Sequence, residues 1–186
     1  MGLSMFCRKD HASLSSALIK PKKVRKLTLK LTEIDCDLDR IGELFKLERL
    51  QISWQELENL PIELAKITTL KELVVLNSPI KEIPIWVSEL KNLRTLVFRG
   101  TDIQAIPSEL AKLKKLSTID VGNNKIEKPP KNIGSFVSVK WLNLHDTRID
   151  SIPDELSNLK KLKHLGLTGT VFSEKQRHNI RAKFEH

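Results

Sequence analysis

Cysteine is nearly absent from this 186-residue chain, in which Cys7 and Cys36 are the only two. One possible pair does not make a disulfide framework, and their spacing matches no zinc signature. Long apolar runs are missing too, so the sequence contains no segment that reads as a membrane-spanning helix. The opening stretch, MGLSMFCRKDHASLSSALIKPKK, lacks the basic start and uninterrupted apolar core of a secretory signal, and Phe6 breaks the myristoylation pattern. No glycine-rich phosphate loop occurs, no serine sits in a nucleophile-elbow context, and neither cysteine has an evident histidine partner. Together these absences predict a chain that is not an enzyme and carries no cofactor.

What is present fits one folded domain over residues 1–186. Hydrophobic residues make up 40% and charged residues 30%, enough for a buried core beneath a well-solvated surface. The formal net charge is +9, which favours acidic partners.

The decisive signal is self-similarity at 23 residues, with units opening at Val24, Leu47, Leu70, Leu93, Leu116, Val139 and Leu162. Leu93 begins LRTLVFRGTDIQAIPSELAKLKK, and Val139 begins VKWLNLHDTRIDSIPDELSNLKK; both fit LxxLxLxxTxIxxIPxxLxxLxx. From Leu47 to Lys161 every core slot of that template holds an aliphatic residue or phenylalanine, except at Pro129. This is the pattern of a leucine-rich repeat. LxxLxL predicts a short strand whose alternate side chains point inward, such as Leu142 and Leu144. IPxxLxxL predicts a return along the convex side, with Pro61, Pro84, Pro107, Pro130 and Pro153 opening short helical or 3₁₀ turns. A single unit cannot bury its own apolar face, so the units are expected to stack into a curved α/β solenoid with a parallel sheet on its concave side.

The ninth place of each unit, Thr32, Gln55, Ser78, Thr101, Asn124, Thr147 and Thr170, is expected to tie neighbouring turns together through hydroxyl and amide groups. The first unit is the loosest, with Asp37 in an aliphatic slot. An open solenoid also needs caps. Residues 8–23 are assigned to the front cap, where Leu14, Ala17 and Leu18 share a helical face ahead of Pro21. Residues 24–171 form seven units, the last incomplete. Residues 172–186 form a closing helix that begins with Ser173 and Gln176 at capping-box spacing and carries Ile180 and Phe184 on one face.

With these residues in view, the chain resembles the small bacterial leucine-rich repeat proteins built on LPxxLxxL units. It is similar in particular to a subgroup in which LxxALxxPxxVxxLxL leads into the first strand, here LSSALIKPKKVRKLTL from Leu14 to Leu29. The resemblance implies a protein-interaction scaffold without catalytic residues, frequently secreted or surface-exposed and sometimes implicated in host contact. Cytoplasmic residence is the alternative, since the sequence as it stands shows no export signal.

Specificity in such an architecture lies where the repeat fixes nothing. The third, fifth and seventh places of each unit face the concave side. The front of that face is basic, with Lys26, Lys30 and Arg49; its middle is apolar, with Val74, Leu76 and Val97, and Trp54 nearby at the sheet edge. Arg99 follows, and the rear gathers Asp120, Trp141, Asn143, His145 and His164. Tryptophan and arginine on a rigid platform are favoured as binding hot spots, so these ten residues from Trp54 to His164 are the candidate partner-binding set. All three tryptophans avoid the core slots, although Trp86 is placed on the convex turn where packing beside the core is expected. The competing reading is cross-strand packing alone.

The histidines do not compose a metal site. His145 and His164 lie on adjacent strands but four places apart in register, roughly 13 Å along the strand. Asp120 and His145 are diagonal neighbours that could meet, but two ligands make a weak site. A second binding mode is offered by Lys112, Lys114, Lys115, Lys160, Lys161 and Lys163, expected to form a stripe along one edge. That stripe suits acidic protein or glycan better than nucleic acid, because no exposed aromatic interleaves with it. The sequence thus predicts a non-catalytic module, favoured as a monomer, that holds a protein ligand on its concave face, with polyanion binding through the lysine edge as the alternative.

Overall fold

The computed structural model describes residues 13–31 and 38–182; Cys7, residues 8–12 of the expected front cap, Thr32, Cys36, Asp37 and Phe184 fall outside them. Within them, seven strands make one parallel sheet in chain order: β1 (Lys26–Leu31), β2 (Arg49–Trp54), β3 (Glu72–Leu76), β4 (Thr95–Arg99), β5 (Thr118–Asp120), β6 (Trp141–Asn143) and β7 (His164–Gly166). The repeat sets the register. Lys26 pairs with Arg49, Arg49 with Glu72, Glu72 with Thr95, Thr95 with Thr118, Thr118 with Trp141 and Trp141 with His164. Each third place therefore sits beside the next, and the fifth places do the same.

Parallel neighbours require a crossover, and here a short 3₁₀ turn supplies it. Pro61, Pro84, Pro107 and Pro153 have φ of −65°, −61°, −60° and −68° and stand one place ahead of the turns Ile62–Lys66, Ile85–Glu89, Ser108–Lys112 and Asp154–Asn158. Each proline is extended rather than helical, and its carbonyl accepts the N–H of the residue three on: Leu64, Val87, Leu110 or Leu156. The fixed φ thus aims the turn from just outside it. Where two prolines adjoin, Pro130 still accepts from Ile133, but the 3₁₀ residues shrink to Ile133–Ser135. Pro129, the odd residue in the template, is itself buried. An apolar ring with no N–H to satisfy serves a core slot.

The core lies between sheet and turns as one continuous stack from Leu14 to Phe172, with Leu50, Ile52, Leu64, Ile67, Leu96 and Phe98 fully enclosed. Ile152 is the template residue that stays only partly covered. At the front, helix α1 (Leu14–Leu18) buries Leu14 and Ala17, and Ser13 caps it by accepting the Ser16 N–H. At the back, helix α2 (Glu174–Ala182) opens with the expected reciprocal pair: the Ser173 N–H donates to Gln176 Oε1 and the Gln176 N–H to Ser173 Oγ. Arg181 donates to the Leu165 carbonyl and Arg177 to that of Phe172. Ile180 only partly covers the last turn, while Phe172 is buried.

After each later strand the chain reverses through the left-handed region, at Asn77 (φ 50°), Gly100 (63°), Asn123 (55°), Asp146 (51°) and Gly169 (71°). All five occupy the eighth place of their unit. Side chains other than Gly, Asn and Asp pay a steric cost in that region. The first two units have Leu31 and Trp54 there, and β1 and β2 include that place as their last strand residue.

The ninth place then ties turns together. The Asn124 amide nitrogen donates to the carbonyls of Phe98, Val121 and Gly122, and its oxygen accepts from Thr101 Oγ1 (2.6 Å) and the Ile103 N–H. Ser78 Oγ accepts the Trp54 N–H and donates to the Leu76 carbonyl. Thr147 and Thr170 instead bond carbonyls of their own units, Leu144 and Leu167. Gln55 departs from the series, being exposed.

Candidate interaction surface on the concave face

The concave face collects what the repeat leaves free. Along β2, β3 and β4 the burial alternates, so that Leu73, Val75, Leu96 and Phe98 go inward while Val74, Leu76 and Val97 stay half-exposed. Val74 is registered with Val97, and Leu76 with Arg99. These three aliphatic residues form a small apolar field, with the exposed Arg99 at its corner.

Forward of that field the third-place row is ionic. Arg49 grips Glu72 of the next strand with two guanidinium nitrogens, one at 2.7 Å. On the sheet's edge Lys71 Nζ reaches Glu48 at 2.7 Å. That hydrogen bond holds the Glu48 carboxyl below the usual carboxylate range.

Rearward the same row becomes aromatic. The Trp141 and His164 rings lie 4.8 Å apart, tilted by 30°. Trp141 remains 51% exposed. The other two tryptophans are placed differently: Trp54 and Trp86 are partly buried and pack against the core. Trp54 encloses its indole nitrogen with no hydrogen-bond partner among the described residues. It lies at the end of β2, in the place with inward parity, so it adds little to the concave surface.

The seventh-place row holds a contact that spans two turns. His145 lies across Gly122, and its Nε2 stands 2.8 Å from a guanidinium nitrogen of Arg99, 46 residues earlier. A Cβ at Gly122 would come within 2.0 Å of the imidazole, so only glycine leaves room for this pose. Arg99 is a donor, hence Nε2 is the acceptor and the neutral ring carries its hydrogen on Nδ1. Nδ1 is buried and has no partner among the described residues. Such an orphaned donor costs about 1–3 kcal/mol.

Asp120 and Asn143, the fifth-place residues of these turns, curl back on the chain. Asp120 Oδ1 accepts the Gly122 N–H at 3.0 Å, and Asn143 Oδ1 the His145 N–H at 3.3 Å. The carbonyls of Phe98 and Val121 are meanwhile taken by the Asn124 amide. Side chains thus take over one side of the ladder beyond the three-residue strands β5 and β6, while the Val121 and Asn123 N–H groups still donate to the carbonyls of Asn143 and His145. Asp120 and His145, diagonal neighbours by register, are drawn to different partners. No group of three or more His, Cys, Asp and Glu side chains among the described residues is arranged to hold a metal ion.

The lysine edge is exposed but interrupted. Lys115 Nζ is bonded to Asn92 (2.7 Å) and Lys114 Nζ to the Ala111 carbonyl, while the intervening unit presents Val137 and Ser138 before the next cluster at Lys160 and Lys161. No described helix is long and apolar enough to cross a membrane.

Two signals were available in the sequence and carry the missed geometry. Gly122, in the seventh place between Arg99 and His145, marks a gap that a long side chain from either side can fill. The run Asn77, Gly100, Asn123, Asp146 and Gly169 in the eighth place marks the left-handed reversal.

Comparison with known proteins gives the same architecture. The leucine-rich repeat region family matches residues 87–180, just over half of the chain. A search of curated proteins gives no match. Among solved structures, an internalin (inlF) from Listeria monocytogenes is similar with a TM-score of 0.73 at 22% identity, over 94% of this chain and 49% of that one. A leucine-rich repeat protein of Leptospira interrogans gives 0.63 at 21%, over 94% and 56%. The functional domain of InlJ from Listeria monocytogenes gives 0.60 at 16%, over 88% and 38%. The chain spans about half the length of the first two structures, and at these identities the likeness is one of fold. The parallel sheet, the 3₁₀ returns, the unbroken 23-residue register and the family match all agree: this chain belongs to the leucine-rich repeat proteins, in the company of bacterial members.

Proposed function

We propose that the chain is a single, non-catalytic protein-binding domain that holds a protein partner on its concave face. The observation that carries this reading is the register. It aligns the third and fifth places of successive units into one surface, and that surface holds the one tryptophan left half in water. Val74, Leu76 and Val97 supply an apolar centre, Arg99 and Trp141 are the anchors, and Asp120, Asn143, His145 and His164 form a polar rear. Recognition would come from rigid complementarity, with little side-chain entropy to lose because these groups are already held by one another.

An unbiased pull-down with the wild type, Trp141→Ala and Leu76→Ser tests it. Both variants are expected to fold and to lose the partners that the wild type retains. Undiminished capture by both would remove the concave face from the reading and return attention to the lysine edge.

A further inference from the structure

Arg99 is an exposed cation whose neighbour is a neutral ring rather than an acid: among the described residues no Asp or Glu pairs with it, and its guanidinium is steadied by His145. His145 in turn is held with its Nδ1 donor buried and unpartnered, in a gap that exists because residue 122 is glycine. The charged groups around the imidazole are few. Arg99 approaches from β4. Asp120 on β5 is turned to the Gly122 N–H. From its own turn, Asp146 stands at 3.9 Å from Nε2. On the β7 side the flanking Leu144 and Asp146 N–H groups bond the carbonyls of Gly166 and Thr168, neither of which titrates, and His164 is stacked on Trp141.

We infer that Arg99 and His145 form a receptor for a carboxylate, and that the segment this concave face fits is an acidic peptide with an aliphatic residue beside its acid. This rests on the concave-face reading above and names the chemistry of its partner. A carboxylate set at this corner accepts from the free guanidinium nitrogens. If His145 takes up a proton on Nε2, the carboxylate accepts from the ring as well, and two charge-assisted donors replace one neutral contact. Asp146 Oδ2, 3.9 Å from Nε2, offsets part of the repulsion between Arg99 and an imidazolium, and a bound carboxylate in contact with both offsets more. Bound protein therefore holds more protons than free protein, and capture tightens as pH falls. A peptide is favoured over an acidic sugar because Leu76 is registered beside Arg99, with Val97 and Val74 next to it. Those surfaces suit aliphatic side chains.

The test uses the full chain and two end-blocked hexapeptides, one alternating glutamate and leucine and one alternating glutamine and leucine, followed by NMR at the Arg99 side chain and the His145 ring. The glutamate peptide is expected to shift both signals saturably, and the glutamine peptide to shift neither. Affinity should rise roughly tenfold from about pH 7.5 to about pH 5.5. Arg99→Gln should abolish the shifts with the fold intact. His145→Gln, which keeps a neutral acceptor but cannot gain a proton, should bind within about twofold of wild type at the higher pH and lose the tightening at the lower. Peptide binding that shifts lysine signals at Lys114, Lys115, Lys160 and Lys161 but leaves Arg99 and His145 still overturns the inference. So does equal binding of both peptides, or a pH gain that survives His145→Gln. None of these results bears on whether Trp141→Ala loses a partner, so the carboxylate receptor and the concave-face reading fail separately.

Discussion

In the front two turns, β1 and β2 run for six residues each and extend to the place where later units reverse, whereas β5, β6 and β7 stop after three. The same template governs both regions, so the difference is made by residues the template does not fix. At the front, Leu31 and Trp54 cannot easily adopt a left-handed reversal, and backbone pairing continues as far as Leu31 opposite Trp54. At the rear, Asn123, Asp146 and Gly169 turn the chain, and Asp120, Asn143 and Asn124 take over the hydrogen bonds the ladder gives up. The surfaces diverge accordingly. Lateral ties at the front are ion pairs, Arg49–Glu72 and Lys71–Glu48; at the rear they are ring contacts, Trp141–His164 and His145 over Gly122. Backbone ladders are indifferent to what lies on the face, and side-chain ladders free the strand ends to carry chemistry.

The sharpest way to break this contrast is Asn124→Ala. It strips partners from three carbonyls inside the stack and should lower stability by about 3 kcal/mol in urea unfolding. Gln55→Ala, at the matching but exposed place, should change it by less than about 0.5 kcal/mol. Equal losses would mean that the ninth place does not distinguish rear from front. Gly100→Ala comes next, at about 1–2 kcal/mol, because its added Cβ would meet Asn77 Oδ1 at 2.6 Å in a left-handed backbone. Replacing Asn77 with glycine at the equivalent reversal should be close to neutral, and a similar cost for both would assign the penalty to lost side-chain bonds instead. Trp141→Ala should leave the unfolding midpoint within about 0.5 kcal/mol of wild type while removing partner capture. A large drop in stability would recast the tryptophan as packing.

The smallest effect is expected at Glu48. Its folded carboxyl is held below the ordinary range by the Lys71 hydrogen bond, so its contribution is present above the unfolded value and is lost as pH falls through the folded one. Acid-unfolding curves of wild type and Glu48→Gln should differ only slightly, and only on the acid limb, since the group is exposed.

Much of the fold was legible because one physical demand repeats. Leu142 and Leu144, and their counterparts, have to be apolar at fixed spacing for a stack to exclude water, and a period of 23 residues leaves little else to fit. The capping box at Ser173 and Gln176 was equally direct, since two orphan donors call for two short-range acceptors. Pro129 looked like a fault and is a buried ring in a core slot. The concave columns were readable as lists, but not the contacts among them. Arg99 and His145 meet across an intervening turn, a relation that pairwise strand logic does not suggest, and it depends on the missing side chain of Gly122. Trp54, read from the sequence as lying at the sheet edge, is partly buried and packs against the core, a placement its inward parity allows but the template does not specify.

The two end closures are unequal, and that has a consequence for motion. Among the described residues, the first turn beneath the front helix holds Val24 and Leu27 at 1% and 0% exposure, whereas the last turn, with Leu162 and Leu165 at 7% and 6%, is covered by Phe172 and a half-covered Ile180. In a stack where each turn touches only its neighbours, opening propagates from the weaker lid. Among the described strands, amide hydrogen exchange should therefore run as a gradient, fastest at β7 and slowest near β3, which sets Trp141 and His145 one turn from the strand that opens first.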